Sequence, residues 1–541
     1  MTWPQPAHLD EVRSHFDALF SIWRLEWVAH QILHEPLRLF DANIFQPAPL
    51  TLAYSDAMLL PALLVAPALW FGTSGPVVYN VVLLSAFALS GLTMFVLVNR
   101  LTGHAGAALV AGVMFAFSPF RFEHFHHLEL QFVLWIPLTL YFLVRAVQTG
   151  RSRDGLLVGA CVTAQVFSSI YYGVFLLTFC AFGGLGWLVA SLLNALRGWR
   201  LSGLVPPPPT VTRRAIVGLG IGMVLSLTLT ACYAWPYIRA SQDLGGMRRA
   251  ENVQKFSAHP VNYLASPPHN LLFGWTADRF GGNERNLFPG GVAIILAILG
   301  LWPPRPRATV LAAIGAAVAF DCSLGFNGVL YPWLYAYAIP FQGLRVPARG
   351  AIFVSFFVTL LAGYGLARLL GDIRTRALRS ALIVGILAAV CLESWMKPLE
   401  RLELPTTPPD VYRLLQRLPD SLILELPVAE PDNTGISLDV FYMYYSTFHW
   451  HRLLNGYSGF LPTQYSSLLE ILRTFPDERS IRELRVRKAD YVLVHSGMNY
   501  WSFTPNEALQ RRTAASQDLA LVGCYRGPRG QSCIYQVRPA S

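Results

Sequence analysis

Long apolar segments separated by short polar ones extend from about residue 77 to residue 396 and dominate the sequence. An apolar stretch of about 20 residues is the length that an α-helix needs to cross a bilayer. The pattern therefore predicts an all-α polytopic membrane domain. Its ten spans are expected at 77–98, 104–119, 128–146, 155–170, 172–194, 215–237, 288–302, 309–325, 350–370 and 378–396.

The pattern becomes that of a soluble domain after residue 397, at the Pro-rich stretch LPTTPPD. The short apolar runs SLILELPV and DYVLVHS are typical of buried strands, and YSSLLEILRTF and SIRELRVRK have the periodicity of helices. A small α/β domain is therefore predicted at 397–541. The full expected order is an external first loop with interfacial helices at 1–76, the membrane domain at 77–396, and this α/β domain.

Composition agrees with a membrane protein, because 53% of the residues are hydrophobic and 14% are charged. A formal net charge of +10 would in other proteins suggest nucleic acid as a partner. Here the arginines gather in short loops between apolar runs, as they do at anionic membrane surfaces. We therefore expect contact with membrane lipids and no binding of nucleic acid.

The arginine-rich loops also predict the orientation of the chain, since cytoplasmic loops carry the excess of basic residues. These loops alternate along the sequence, so the remaining loops and the C-terminal domain are expected on the outer face. The basic residues concerned are Arg145, Arg151, Arg153, Arg197, Arg200, Arg213, Arg214, Arg305, Arg307, Arg368, Arg374, Arg376 and Arg379.

The apolar segment 55–72 does not fit this alternation as a span, because a crossing there would place the arginine-rich loops outside. With Pro61 and Pro67 inside it, the segment is predicted to lie along the outer interface. Residues 1–54 would then also be external, although no apolar leader precedes them. Two interpretations stay open: a first helix upstream of Met1, which we favour, or an unusual route of insertion.

Candidate functional residues collect on the predicted outer face in several motifs. HFDALFSIWRLEWVAHQIL and LFDANIFQPAPLTLAYSDAML supply acidic residues, SPFRFEHFHHLEL a dense titratable cluster, and PFQGLRVPARG two arginines. Singly, such residues usually cap helices, contact headgroups or form ordinary hydrogen bonds. Together on one face, carboxylates and arginines are typical of transfer chemistry on a phosphorylated substrate. The candidates are Asp17, Asp41, Asp56, Arg121, Glu123, His124, His126, His127, Glu129, Arg345 and Arg349.

The histidine cluster raises the alternative of a metal site, because imidazole and carboxylate both bind divalent ions. The H-x-H-H spacing matches no recognised metal cage. No metal ligand is therefore assigned and no cofactor is predicted, with a divalent metal as the open alternative.

Two of the seven cysteines stand apart from the apolar segments. Cys524 and Cys533 flank a Gly/Pro turn in GCYRGPRGQSCIYQV, between two strand-like ends. In an oxidising compartment they are expected to pair across a hairpin. The other five lie in or beside predicted spans, where small apolar packing is their ordinary role.

The order of motifs resembles a known family of membrane enzymes. The stretches are DALFSIWRLEW, FDANIFQPAPLTLAYSD, VVYNVVLLSAFALSGLTMFVLVNRLTG, FAFSPFRFEHFHHLEL, QGLRVPARG and LLNGYSGFLP. Taken together, they resemble bacterial membrane glycosyltransferases of the GT-C fold, in the branch with YfhO-like and Rgt-like members. The resemblance implies a multi-pass protein of the bacterial inner membrane with an extracytoplasmic C-terminal domain. It also makes the absence of a first helix before Asp17 a departure from the family.

The resemblance further implies a polyprenyl-phosphate sugar donor and inversion at the sugar carbon. Asp17 matches the first-loop Asp of the family and Asp56 a second acidic position. In this hypothesis Asp17 is the base for an unknown acceptor hydroxyl in an envelope glycan, lipid or protein. Arg345 and Arg349, or Arg121, would bind the phosphate. Glu123 and the histidines would orient acceptor or phosphate.

Two other classes of function remain open at this stage. A GT-C-like chain can act without catalysis in envelope glycan or lipid assembly, and the number of spans alone would also fit a transporter. Against a transporter, the sequence shows no pair of similar halves with matching broken helices, and its spans hold few charges.

Overall fold

The computed structural model describes residues 8–13, 15–197, 211–246, 248–304, 306–428, 438–496, 507–527 and 530–540. These residues form two compact units, which are described separately. The first unit comprises residues 81–234 and 248–399, and the second comprises 8–80, 235–246 and 400–540, within the described ranges. The predicted first loop and the predicted C-terminal domain therefore belong to the same unit.

Helices make up most of the chain before residue 400. They are α1 (Phe16–His34), α2 (Leu59–Trp70), α3 (Gly75–Thr102), α4 (Ala105–Ala116), α5 (Pro119–Glu123), α6 (Trp135–Thr149), α7 (Ser152–Ser168), α8 (Ile170–Arg197), α9 (Arg213–Asp243), α10 (Ala250–Lys255), α11 (Trp275–Phe280), α12 (Gly291–Gly300), α13 (Arg307–Ser323), α14 (Leu330–Tyr337), α15 (Ile339–Gln342), α16 (Ala351–Asp372) and α17 (Arg376–Glu393).

Within the described ranges, six helical segments are long and apolar enough to cross a membrane by length and composition. They are Gly75–Thr102, Ala105–Glu123, Leu128–Thr149, Ile170–Leu192, Arg213–Asp243 and Pro347–Asp372. The other four predicted spans are also helical, as α7, α12, α13 and α17. They are shorter than 18 residues or, in α17, carry three charged side chains, so the structure supports a multi-pass protein without reaching the predicted count of ten.

The segment 55–72 forms the short helix α2 of 12 residues. At a rise of about 1.5 Å per residue, this helix is about 18 Å long, against about 30 Å of hydrocarbon in a bilayer. Its length therefore agrees with the prediction that the segment does not cross.

The core of the first unit lies around α16, which packs against α4, α12 and α13. The contact with α12 is close because glycines face the opposite backbone. A Cβ atom built on Gly365 would lie 2.0 Å from the carbonyl oxygen of Leu296, so no larger residue fits there. Phe115, Phe175 and Phe353 fill the space between these helices and α8.

The second unit is built on a five-stranded sheet with the order β4-β3-β5-β7-β6. Strands β3, β4 and β5 are parallel, whereas β7 pairs antiparallel with both β5 and β6. Its strands are β3 (Leu422–Leu426), β4 (Arg452–Leu453), β5 (Tyr491–His495), β6 (Leu519–Gly527) and β7 (Gly530–Val537). Its helices are α18 (Asp410–Leu415), α19 (Asp439–Ser446), α20 (Thr463–Leu472), α21 (Glu478–Val486) and α22 (Glu507–Ala515).

The predicted elements of the α/β domain are confirmed. SLILELPV and DYVLVHS contain β3 and β5, which are buried at every position, as expected for parallel strands covered on both faces. YSSLLEILRTF and SIRELRVRK contain α20 and α21. Cys524 and Cys533 lie opposite each other on β6 and β7, with their Cα atoms 4.1 Å apart, and form a disulfide.

The N-terminal segment is part of this second unit through several contacts. Strand β1 (Glu11–Arg13) pairs antiparallel with β2 (Arg401–Glu403). Helix α1 packs on α2 and on α19. The side chain of Asn43 donates to Ser446 and to the carbonyl of His451. The aromatic first loop is thereby fixed to the α/β domain.

Candidate functional site

A buried carboxylate, Glu284, lies at the centre of a polar cluster in the first unit. Both of its oxygens accept hydrogen bonds from the Arg349 guanidinium, at 2.6 and 3.0 Å. The imidazoles of His124 and His127 each lie 3.5 Å from one of these oxygens. Only 11% of the Glu284 side chain and 7% of the Arg349 side chain are exposed. The arrangement is a nearly buried ion pair flanked by two histidines.

The charges of this cluster compensate each other. Although burial raises the pKa of Glu284, the Arg349 guanidinium and the His127 imidazole outweigh it and hold that pKa well below its usual range. Burial lowers the pKa of His124 to about 3, so this imidazole is neutral at physiological pH. Arg349 also contacts His127, at 3.1 Å from Nη2 to Nε2. Its guanidinium is therefore engaged, which does not support the expected phosphate-binding role of Arg349.

The sequence alone did not point to Glu284. The residue lies in GGNER, within the long polar segment between α11 and α12, and carries no recognisable motif. In the structure it has a φ of +62°, a left-handed conformation that is uncommon for residues other than glycine. Such conformations are often found at functional sites, but they cannot be read from a single sequence.

The motif SPFRFEHFHHLEL contributes unequally to this cluster. His124 and His127 face Glu284, and Glu129 lies 3.6 Å from His127 Nδ1. Glu123 instead accepts a hydrogen bond of 2.8 Å from Asn286. The His126 ring centre lies 4.3 Å from that of His127, and the two rings are tilted by 50°.

Arg121, from the same motif, has a different environment. Its guanidinium donates to the carbonyls of Ala116 and Gln131 and lies 4.2 Å from the centre of the Phe87 ring. The side chain is only 1% exposed. This placement ties the turn to its neighbours and does not support the expected phosphate contact of Arg121.

Arg345 differs from Arg349 although both lie beside Tyr171. The Tyr171 hydroxyl accepts the Arg345 backbone N–H at 2.7 Å, and the Arg349 guanidinium lies 5.0 Å from the Tyr171 ring centre. The Arg345 guanidinium is half-buried over the Phe256 ring, at 5.1 Å. Among the described residues, no carboxylate lies within ion-pair distance of it. Arg345 is thus the better of the two for binding an anion.

Asp17 occupies the first turn of α1 in the second unit. The helix is capped by His15, whose Nδ1 accepts the Asp17 backbone N–H at 3.2 Å, so the Asp17 carboxylate is not the cap. Asp17 Oδ1 accepts a hydrogen bond of 3.1 Å from the Tyr457 hydroxyl, and Oδ2 lies 3.6 Å from His15 Nδ1. The carboxylate is thus held by the Tyr457 phenol and lies beside the His15 imidazole.

Asp56, also in the second unit, has a local structural role in the chain. Its carboxylate accepts the N–H of Met58, two residues on, at 3.2 Å, just before α2 begins. Its backbone carbonyl accepts from the Arg24 guanidinium at 2.7 Å. These contacts fix the entry into α2 and give no direct support to the catalytic role expected for Asp56.

No known protein family matches the chain, and neither does any curated protein. Solved structures do match. The arabinofuranosyltransferase AftD from Mycobacteria is similar at a TM-score of 0.62 and 14% sequence identity, over 98% of this chain and 38% of that one. The archaeal oligosaccharyltransferase AglB from Archaeoglobus fulgidus, in complex with an inhibitory peptide and a dolichol-phosphate, covers 96% of this chain and 70% of its own. Its TM-score is 0.44, at 11% sequence identity.

The similarity to AftD shows the class of fold to which the chain's architecture corresponds. It is the fold of AftD, in a multi-pass helical chain with a small sheet domain. The chain spans 38% of the length of AftD.

Proposed function

We propose that this protein is a membrane glycosyltransferase that moves a sugar from a polyprenyl-phosphate donor to an extracytoplasmic acceptor. The observation that carries the proposal is the Asp17 carboxylate, which is held in the first turn of α1 by Tyr457 and is not used as a helix cap. The shared fold with an arabinofuranosyltransferase over 98% of this chain supports it. A pentose such as arabinofuranose is accordingly the first sugar to test, with hexoses as the alternative.

The proposed location is the bacterial inner membrane, with about ten crossings and the α/β domain outside. The alternation of arginine-rich loops supports this orientation. The Cys524–Cys533 disulfide supports an oxidising compartment for the α/β domain. The helices α7, α12, α13 and α17 would supply the four crossings beyond the six apolar segments.

The proposed reaction is a single inverting displacement. The acceptor oxygen forms a bond to the anomeric carbon while the bond from that carbon to the donor phosphate breaks. Asp17 takes the proton of the acceptor hydroxyl, as a general base. The electron pair of the broken bond stays on the lipid phosphate, which leaves as an anion and needs stabilisation of its charge more than a proton.

Arg345 is the proposed ligand of that phosphate. A guanidinium offers two parallel N–H donors that match phosphate oxygens. The half-buried Arg345 side chain over Phe256 is not neutralised by a carboxylate of the described residues, in contrast to Arg349 with Glu284. Donor binding would therefore depend on Arg345 and would depend on Arg349 only through folding.

The test is a transfer assay with membranes that contain the full chain. Radiolabelled polyprenyl-phosphate-linked arabinofuranose, mannose and glucose are offered in turn, and label is followed into membrane-bound acceptors. Asp17→Asn should lower the rate by about 10²-fold, the usual contribution of a general base. The matched control is Asp10→Asn, since Asp10 is an exposed acid of the same loop and should be silent.

The outcomes separate the classes of function. Transfer by the wild type that is lost in Asp17→Asn, at equal amounts of protein in the membrane, supports the proposal. Transfer at the wild-type rate by Asp17→Asn refutes the assignment of the base. Transfer from none of the three donors favours a non-catalytic role in envelope assembly, and donor movement across the membrane without transfer favours a transporter.

A further inference from the structure

We propose that Tyr457 positions the Asp17 carboxylate for catalysis, so that the base of the reaction is completed by a residue from the α/β domain. This inference rests on the proposed function and deepens it. The two residues are 440 positions apart in sequence and lie in the same compact unit, joined by the 3.1 Å hydrogen bond from the Tyr457 hydroxyl to Asp17 Oδ1.

The Tyr457 ring is held in a defined place. Phe16 and Phe20, on the same helix as Asp17, meet it edge to face, with ring centres 5.5 and 5.4 Å away. The Tyr457 backbone N–H donates to the sulfur of Met443, at 3.2 Å. Aromatic pairs of this geometry prefer a fixed orientation. These contacts fix the orientation of the hydroxyl toward the Asp17 carboxylate.

The approach of the chain to this point requires a glycine. A Cβ atom on Gly456 would lie 2.7 Å from the ring of Phe45, which belongs to the first loop. Gly456 therefore lets the segment before Tyr457 pack directly on the loop that precedes α2. This close packing explains why the stretch NGYSG occurs here, and it brings Tyr457 to α1.

The hydrogen bond distinguishes the two oxygens of Asp17. Oδ1 accepts the hydrogen bond of the Tyr457 hydroxyl, and this bond fixes the orientation in which the carboxylate would meet the acceptor hydroxyl. His15 Nδ1, 3.6 Å from Oδ2, itself accepts the Asp17 backbone N–H, which fixes its tautomer with the proton on Nε2. A carboxylate that is free to rotate would be misplaced by about an ångström for part of the time, and such errors cost up to about 10²-fold in rate.

The experiment is Tyr457→Phe, which removes one oxygen and keeps the ring packing. With the donor that the wild type uses, we expect kcat to fall by about 10-fold and KM to stay within about 2-fold, because an interaction that orients the base acts on the chemical step. In an Asp17→Glu background, where the carboxylate is displaced by one methylene, Tyr457→Phe should cause no further loss.

The matched control is Tyr465→Phe. Tyr465 also donates to a carboxylate of the same unit, Asp439, at 2.8 Å, and it is buried. Loss of a purely structural hydrogen bond should lower the melting temperature and leave kcat unchanged. This is the result that we expect for Tyr465→Phe. Tyr457→Phe should show the opposite pattern: kcat should fall, and the melting temperature should change little.

The outcomes keep the two proposals apart. An inactive Asp17→Asn with a normal kcat in Tyr457→Phe overturns the positioning role and leaves the proposed function standing. An equal loss from Tyr457→Phe in the wild-type and Asp17→Glu backgrounds also overturns it, because Tyr457 would then act independently of Asp17. Full activity of Asp17→Asn overturns the proposed function, and this inference with it.

Discussion

Two carboxylates, Asp17 and Glu284, lie in different compact units and have opposite kinds of partner. Glu284 accepts both hydrogen bonds of the Arg349 guanidinium and is flanked by His124 and His127. Asp17 accepts a phenol hydroxyl and lies beside an imidazole that caps its helix. A carboxylate paired with a guanidinium keeps its charge and is a poor proton acceptor.

The difference bears on the roles that we propose for these two residues. The dense titratable motif SPFRFEHFHHLEL attracts attention in the sequence, yet its two central histidines serve an ion pair that neutralises itself. The single Asp17, which the resemblance matched to the first-loop acid of the family, accepts a hydrogen bond from the distant Tyr457. The number of titratable residues in a motif therefore does not by itself assign a catalytic role.

The largest effect is expected when the charge compensation between Glu284 and Arg349 is removed. Glu284→Gln leaves the nearly buried Arg349 guanidinium without its counter-charge, and removal of a partner from a buried ion pair costs about 3–5 kcal/mol. Because the Glu284 pKa is depressed, its stabilisation is present above the unfolded value near 4.5 and is lost as the pH falls. Thermal unfolding of purified protein in detergent at pH 7 and pH 4 measures both effects.

The matched control for this prediction is Glu478→Gln in the exposed i,i+4 pair with Arg482 on α21. Exposed pairs contribute little, so its melting temperature should barely change. The double variant Glu284→Gln with Arg349→Met removes both charges and should cost less than the two single changes summed. Equal melting temperatures for wild type and Glu284→Gln would show that the pair does not hold the first unit together.

Much of the fold could be predicted because it depends on local sequence. Apolar length marks the long spans, and the mostly apolar runs in β3 and β5 mark buried parallel strands. The grouping of residues 8–80 with 400–540 could not be predicted, since it depends on contacts such as Asn43 with Ser446, which are 403 residues apart. The antiparallel pairing of β1 with β2 is non-local in the same way.

The candidate site likewise contains some residues that local sequence could predict and others that depend on distant contacts. Asp17, Arg345 and the histidine cluster were recognisable by residue type and by their place beside apolar segments. Tyr457 and Glu284 were not, because a tyrosine in a glycine-rich turn and a glutamate in a polar loop acquire their roles only through distant partners. The burial of Arg121 also could not be foreseen; its Nη1 and Nη2 donate to backbone carbonyls.

A smaller effect is expected from Arg345, whose guanidinium forms no ion pair with a carboxylate among the described residues. Arg345→Ala should raise KM for the polyprenyl-phosphate donor by about 10-fold, since a hydrogen bond to a charged group contributes about 1.5–3 kcal/mol. Arg345→Lys should give an intermediate KM, because lysine keeps the charge but lacks the planar pair of donors. Initial rates at varied donor concentration give the values. Arg249→Ala, at an exposed arginine before α10, is the control, and an unchanged KM in Arg345→Ala would remove Arg345 from the site.

The smallest effect concerns a third carboxylate, that of Glu26. It tests whether the free-energy cost of burying an acid in the second unit is offset by the partners of that acid. It lies on α1 and accepts hydrogen bonds from Thr447 and from the backbone of Gly75. A Cβ atom on Gly75 would lie 1.9 Å from Glu26 Oε1, so the carboxylate packs directly on the start of α3. Burial raises the pKa of Glu26 to about 7, and the two hydrogen bonds only partly oppose this shift.

A raised carboxylate pKa means that the folded state binds a proton more tightly than the unfolded state. Stability is therefore lost as the pH rises from the unfolded value of 4.5 to about 7, and it is level above that. Glu26→Gln keeps the shape and abolishes the titration. We expect it to be more stable than the wild type by about 1–2 kcal/mol at pH 8, a figure reduced for the part of Glu26 that is exposed, and nearly equal at pH 5. If the gain in melting temperature is the same at pH 5 and pH 8, or reversed at pH 8, then Glu26 is already stabilised as an anion. In that case the second unit does supply counter-charge to its acids, and the contrast between Asp17 and Glu284 would have to be reinterpreted.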